Sequence, residues 1–277
     1  MKIGLTRILL ILILISEALL AACVKPEQGP AAQNPSQPAG GKPATTIGVY
    51  RPSTATFYLR SMNMAGEPEV AVSFGPAGNL PIAGDWDGNG TTTIGIYRLN
   101  EATFYLRNSN SPGDADQMVT FGPKGVVPIA GDWDGNGTVT IGIYNPDESV
   151  FYLRNSNSSG NADITVPYGV KGDVPVVGDW DGNGTVTVGV YRPADSTFYL
   201  RNSNSPGVAD VSVIYGMKGD APVVGDWDGN GTVTVGVYRP ADSIFYLRND
   251  NSPGNADYYV QFGMPGDIPI VGHWEKQ

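Results

Sequence analysis

The chain has little that can be cross-linked or that titrates near neutrality. Its 277 residues include one cysteine, Cys23, and one histidine, His273. A single cysteine excludes an internal disulfide, so stability has to come from core burial, closure of the fold or bound metal. Positive charge is also scarce: 17 Lys and Arg stand against 27 Asp and Glu, a formal net charge of −10. That balance argues against nucleic acid as a partner and suits a protein that takes up divalent cations. No segment after residue 23 shows a helical period. There is no Ser/His/Asp or metal-hydrolase signature. His273 and Glu275, which a strand would point to one face, have no second catalytic group at a specific spacing. Decay of a terminal repeat accounts for both, and the chain is expected not to be an enzyme.

The N-terminus is a processing segment. Lys2 and Arg7 form a short positive region, and Ile8 to Ile15 is an unbroken Ile/Leu run too short to span a bilayer stably. Leu20-Ala21-Ala22-Cys23 then resembles a bacterial lipobox, which implies cleavage after residue 22 and a diacylglyceryl group on the Cys23 sulfur. Lys2, Arg7 and Glu17 leave with the leader, and the mature charge becomes −11. Residues 23–44 are rich in Pro, Gly, Ala, Gln and Lys and bury too little to offset the entropy of ordering, so they read as a flexible tether. Residues 45–277 form the folded body, expected outside the cytoplasm, lipid-anchored and at the cell surface.

That body is repetitive. GDWDGNG begins at Gly84, Gly131, Gly178 and Gly225, and a decayed copy, GHWEK, begins at Gly272, always at intervals of 47. Tyr50, Tyr97, Tyr144, Tyr191 and Tyr238 keep the same step. Residues 178–207 and 225–254 differ at two of thirty positions, Thr197 against Ile244 and Ser203 against Asp250, which points to recent duplication. In the copy around Gly178, strands are expected over Val174–Trp180, Val186–Tyr191, Ser196–Arg201 and Asp210–Tyr215, punctuated by Asp-Gly-Asn-Gly, Arg-Pro-Ala-Asp and Asn-Ser-Asn-Ser-Pro-Gly. Four strands in about 47 residues is the size of one propeller blade. The expectation is an all-β, five-bladed β-propeller.

Strand order within the blade follows from burial. Segments such as IGVY and TFYLR are apolar at consecutive positions, so both faces must be covered. The last strand alternates around Val72, Val119, Val166, Val213 and Val260, and in one copy holds Pro167, so it is the outer edge. The body begins on a second strand, Thr46 to Tyr50, and ends on a first strand, Ile268 to Trp274. The C-terminus should therefore supply the inner strand of the first blade and close the ring.

The repeat resembles the FG-GAP and VCBS-like repeats of integrin-type propellers. The resemblance rests on Phe121-Gly122 or Tyr168-Gly169 ahead of the inner strand and on Asp132-Trp133-Asp134-Gly135-Asn136-Gly137 after it. It implies calcium in the acidic loop and a role in adhesion or recognition. The chain departs from the family at loop position 9, where an Asp is frequent and Thr93, Thr140, Thr187 and Thr234 stand here, and in having five units where integrin rings have seven. Five 47-residue units instead resemble the tachylectin-type sugar-binding propeller, without its sequence motifs.

The loops themselves carry oxygen ligands at positions 1, 3 and 5, a backbone carbonyl at 7 and a hydroxyl at 9, the spacing of the first part of an EF-hand. The candidate calcium ligands are Asp85, Asp87, Asn89 and Thr91; Asp132, Asp134, Asn136 and Thr138; Asp179, Asp181, Asn183 and Thr185; and Asp226, Asp228, Asn230 and Thr232. Position 12 is Ile96 in place of a bidentate Glu, so two carboxylates per site predict weak binding, on the order of 0.1 to 1 mM. The alternative is that Asn-Gly is a hairpin turn whose Asp side chains bind nearby amides. Two further series recur. Arg60, Arg107, Arg154, Arg201 and Arg248 should pair with Asp residues of adjacent turns, or else line a binding face. Trp86, Trp133, Trp180, Trp227 and Trp274 should wedge between blades, or else stack on sugars. A calcium-binding module recognising a protein or matrix ligand is the leading expectation, and a multivalent lectin the alternative.

Overall fold

The structure is a computed structural model that describes residues 43–274. The leader, Cys23, most of the tether and Glu275 lie outside the described residues. Within them twenty strands form five four-stranded antiparallel sheets, and there is no helix. The first blade contains β1 (Thr46–Arg51), β2 (Thr56–Leu59) and β3 (Val70–Ser73). The second holds β4 (Leu80–Gly84), β5 (Thr93–Arg98), β6 (Thr103–Leu106) and β7 (Gln117–Thr120), and the third β8 (Val127–Gly131), β9 (Thr140–Asn145), β10 (Val150–Leu153) and β11 (Ile164–Pro167). The fourth holds β12 (Val174–Gly178), β13 (Thr187–Arg192), β14 (Thr197–Leu200) and β15 (Val211–Ile214). The fifth holds β16 (Ala221–Gly225), β17 (Thr234–Arg239), β18 (Ile244–Leu247) and β19 (Tyr258–Gln261).

The remaining strand, β20 (Ile268–Gly272), pairs with β1 in the register Thr46↔Gly272 to Tyr50↔Ile268, giving the order β20-β1-β2-β3. Successive inner strands β4, β8, β12, β16 and β20 touch in a ring that returns to β4. This is the five-bladed propeller closed by the C-terminal strand. The expected strands of the fourth blade are all present; the first ends two residues earlier, the second is shifted by one residue to Thr187–Arg192, and the third and fourth are one residue shorter at each end. Trp180 turns back over the strand end, and Ser196 adopts φ +54, a left-handed conformation that a strand cannot contain.

The core lies between blades. Tyr50 and Phe57 face each other across β1 and β2 with ring centroids 4.7 Å apart, tilted by 52°. The pair repeats as Tyr97–Phe104, Tyr144–Phe151, Tyr191–Phe198 and Tyr238–Phe245, and all ten rings have no exposed surface. Burying such a ring contributes about 1.5 to 3 kcal/mol. The hydrophobic clusters span neighbouring blades; Ile47 and Val49 of the first, for example, pack with Tyr238 and Phe245 of the fifth. The consecutive apolar residues of the two middle strands serve this purpose. Their outer neighbours β3, β7, β11, β15 and β19 alternate buried and exposed, as edges do.

In such a meander the first and third loops of every blade fall at one end of the ring, and the second and fourth at the other. The first end carries sixteen Asp and Glu against five Arg, the second end eight against seven Lys and Arg. Nearly all the negative excess is therefore on one face. Thr45, which precedes β1, lies on that same face beside Asp226.

Candidate functional site

The acidic loops join the first and second strands. Their Gly-Asp-Trp start is dictated by packing. A methyl group on Gly84 would meet the Trp86 ring at 2.7 Å and Val139 of the next blade at 2.7 Å, so only glycine lets the indole fold back over the strand end. The five tryptophans are 1–5% exposed, and the Trp133 Nε1 donates to the Ile141 carbonyl at 3.3 Å. They are wedges between blades. This corrects the sugar-stacking alternative, because no tryptophan face is open to a ligand.

The first Asp shapes the turn. Asp85 accepts the amides of Asn89 at 3.0 Å and Gly90 at 2.7 Å, and Asn89 Oδ1 accepts the Thr91 amide at 2.8 Å. The same three bonds recur on Asp132, Asp179 and Asp226. Gly88 and Gly90 take φ of +72° and +90°, which the turn requires. The loops also stitch the ring. The Asp85 carbonyl accepts the Val139 amide at 3.0 Å, and Asp132, Asp179, Asp226 and His273 accept from Val186, Val233, Thr45 and Thr92 at 2.7–3.0 Å. His273 can stand where the other copies have Asp because that bond uses only its backbone.

One expected ligand group is placed elsewhere. The position-9 hydroxyls are buried in the fold: Thr140 donates to the Arg154 carbonyl at 2.7 Å, and Thr187 and Thr234 to those of Arg201 and Arg248, also at 2.7 Å. They tie the second strand to the end of the third. At position 7, where the carbonyl is the expected ligand, the hydroxyls of Thr138, Thr185 and Thr232 lie against the preceding blade's loop, 3.1–3.2 Å from where a methyl on Gly88, Gly135 or Gly182 would be. What remains for each loop is the pair of carboxylates, the Asn amide oxygen and backbone carbonyls.

The third loop position is the one the fold does not consume. Asp87 and Asp134 are exposed and have no hydrogen bond or ion pair among the described residues, while Asp181 accepts the Asn183 backbone amide at 3.3 Å and Asp228 accepts the Asn230 backbone amide at 3.2 Å and its side-chain Nδ2 at 3.1 Å. Among the described residues no three Asp, Glu, His or Cys side chains converge. The donor set is therefore hard and oxygen-only but low in charge. A carboxylate holds about four lone-pair sites, so the first Asp keeps about two after its amides are served. The loop at Asp226 differs in environment. The segment at Thr45 covers it, and burial raises the Asp226 pKa above its ordinary value.

The expected arginine pairs are present. Arg60 meets Glu69 at 3.0 Å, Arg154 meets Asp163 at 3.3 Å, Arg201 meets Asp210 at 3.1 Å and Arg248 meets Asp250 at 3.0 Å, with Arg107 looser at 3.9 Å from Asp116. Each guanidinium also donates to carbonyls of the third loop; Arg107 reaches Ser111 at 2.6 Å and Pro112 at 2.9 Å. The Asn-Ser-Asn motif is structural too: Asn157 Oδ1 accepts the Ile141 amide and its Nδ2 donates to Val139 O, both at 3.1 Å.

Sequence reasoning missed a second arginine set at the opposite end. Arg51, Arg192 and Arg239 bind Asp267, Asp173 and Asp220 bidentately at 2.8–2.9 Å. The same carboxylates accept the amides of Met264, Val170 and Met217. The signal was co-occurrence. The second blade has Asn79 at the Asp place, and the third has Val126 with Asn145 facing it, so neither forms the pair.

No protein-family model, curated protein or solved structure matches the chain.

Proposed function

We propose that the protein is a non-enzymatic, extracytoplasmic recognition module, anchored through lipid on Cys23, whose propeller takes up calcium weakly and binds a protein or matrix ligand. The observation that supports it is the exposed Asp at the third loop position. Tryptophan, glycine, asparagine and the first Asp all have work in the fold, whereas Asp87 and Asp134 have none. A calcium ion would be held by Asp85, Asp87, Asn89 and the Thr91 carbonyl, and by the corresponding residues of the other three loops. It would neutralise part of the carboxylate excess on that face and stiffen the loops that stitch the ring.

At 1 mM calcium a site with Kd of 1 mM contributes about 0.4 kcal/mol and one with Kd of 0.1 mM about 1.4, so four sites give roughly 2 to 6 kcal/mol. The test is a thermal melt of the full-length protein in chelator, in millimolar calcium and in millimolar magnesium. Calcium should raise Tm by several degrees, and magnesium should do so poorly because it demands tighter octahedral geometry. Coincident melts with no heat of binding would reduce the loops to turn chemistry.

A further inference from the structure

One groove interrupts the repetition. It has a volume of about 590 Å³ and runs between the third and fourth blades, from Glu148 at one end of the ring past Tyr199 and Ser212 to Val208 near the other. In its floor Ser212 faces Tyr199 across β14 and β15; the same place holds Tyr259 in the fifth blade, edge-on to Tyr246 at 5.4 Å, Met118 in the second, Thr165 in the third and Ala71 in the first. Val208 is 83% exposed where the other blades have Glu67, Asp114, Asn161 and Asn255. Pro167, Val170 and Val190 complete the apolar wall.

Its charge is one-sided. Arg192, in the same wall, is neutralised by the buried Asp173, while Glu148 accepts a hydrogen bond from Tyr152 and forms no ion pair among the described residues. Tyr168, in the wall, is nine-tenths buried and its hydroxyl has no partner among the described residues. The fourth blade's outer edge is also open. The Tyr215 amide turns inward to the Ser196 carbonyl at 2.9 Å, so the preceding amide, of Ile214, points outward along β15. In the third blade the residue at that place is Pro167, which has no amide to offer.

We infer that the groove and the free edge of β15 together take an extended, basic segment of a partner protein. The segment adds as a fifth strand with an apolar side chain on Val208, and a Lys or Arg lays its aliphatic stem on Val170 and Pro167 and brings its charge to Glu148. This inference rests on the recognition-module reading and names its site and ligand chemistry.

The test is selection of random dodecapeptides displayed on phage against the full-length protein, followed by affinity measurements on the enriched peptides. Two variants copy residues the fold already accepts elsewhere: Ser212→Tyr reproduces Tyr259, and Ile214→Pro reproduces Pro167. Enriched peptides should carry Lys or Arg, lose at least about tenfold in affinity to either variant, and lose roughly three- to fivefold to Glu148→Gln. Peptides that bind both variants as well as the parent would overturn the groove and leave the recognition reading standing. A library that yields no enriched peptide would overturn both.

Discussion

Thr45 and Asp226 exchange two hydrogen bonds across the seam of the ring: the Thr45 amide donates to the Asp226 carbonyl at 2.7 Å, and the Asp226 amide donates to Thr45 Oγ1 at 3.0 Å. Thr92 and His273 repeat this arrangement at the next interface, with a 2.9 Å bond from the His273 amide to Thr92 Oγ1. The two ends of the described chain are thus held by the backbone bond that joins the interior blades, plus a hydroxyl bond that Val139, Val186 and Val233 cannot make at the interior interfaces. A chain ended after Asp267 loses β20, exposes the inner edge of β1 and leaves Thr92 without its acceptor. It is expected to aggregate or unfold. A monomer with unchanged Tm, by size-exclusion chromatography and thermal melt, would refute this closure.

The Arg239–Asp220 pair provides a stability test with a built-in control. Asp220→Val strands the guanidinium and the Met217 amide and should cost roughly 2 to 3 kcal/mol, less than for a fully buried pair because Arg239 is partly exposed. Arg239→Asn in the same chain recreates the arrangement of Val126 and Asn145 in the third blade. The double variant should recover to within about 1 kcal/mol of the parent. Urea denaturation of the four proteins measures the coupling, and strict additivity would mean the pair is energetically idle.

Alkaline pH should unfold the ring cooperatively. Burial pushes the hydroxyls of Tyr50 and Tyr168 up to about 12 and raises those of Tyr97, Tyr144, Tyr191, Tyr215 and Tyr238 above the usual tyrosine value of 10. A group whose pKa is raised by folding stabilises the fold fully below its unfolded value and ceases to do so as pH climbs through the folded one. The loss should therefore fall between about pH 10 and 12. Tyrosinate absorbance of these residues should appear together with loss of the near-ultraviolet circular dichroism. Smooth ionisation of all fourteen tyrosines in a still folded protein would contradict the burial.

Cys23→Ser should abolish lipid attachment and leave the Tm of the propeller unchanged, because the cysteine precedes the first strand by more than twenty residues. Partitioning into detergent, compared between the parent and the variant, checks it. Normal partitioning of the variant would remove the lipoprotein reading.

The blade count, the four strands per blade, the outer edge and the closing strand were all legible in the sequence. They depend on quantities a sequence carries directly: the 47-residue interval, the side-chain alternation around Val166 and Val213, and the phase at which the copies begin and stop. The pairing of Arg201 with Asp210 was legible as well, since both belong to one local hairpin.

The acidic loop was only half legible, because most of its residues answer to contacts with another blade. Gly84 is needed for an indole pressed down by Val139, and Thr140 spends its hydroxyl on the Arg154 carbonyl; metal-ligand spacing reveals neither constraint. The repeat by itself determined the ring, because burial period and copy number are properties of one chain read in order. Only the tertiary structure separated the carboxylates that shape the turn from Asp87 and Asp134, which nothing among the described residues engages, and only it brought Glu148, Val170, Val208 and Ser212 together around one groove. Those distinctions depend on which side chains from different blades meet, and that is set when the ring closes.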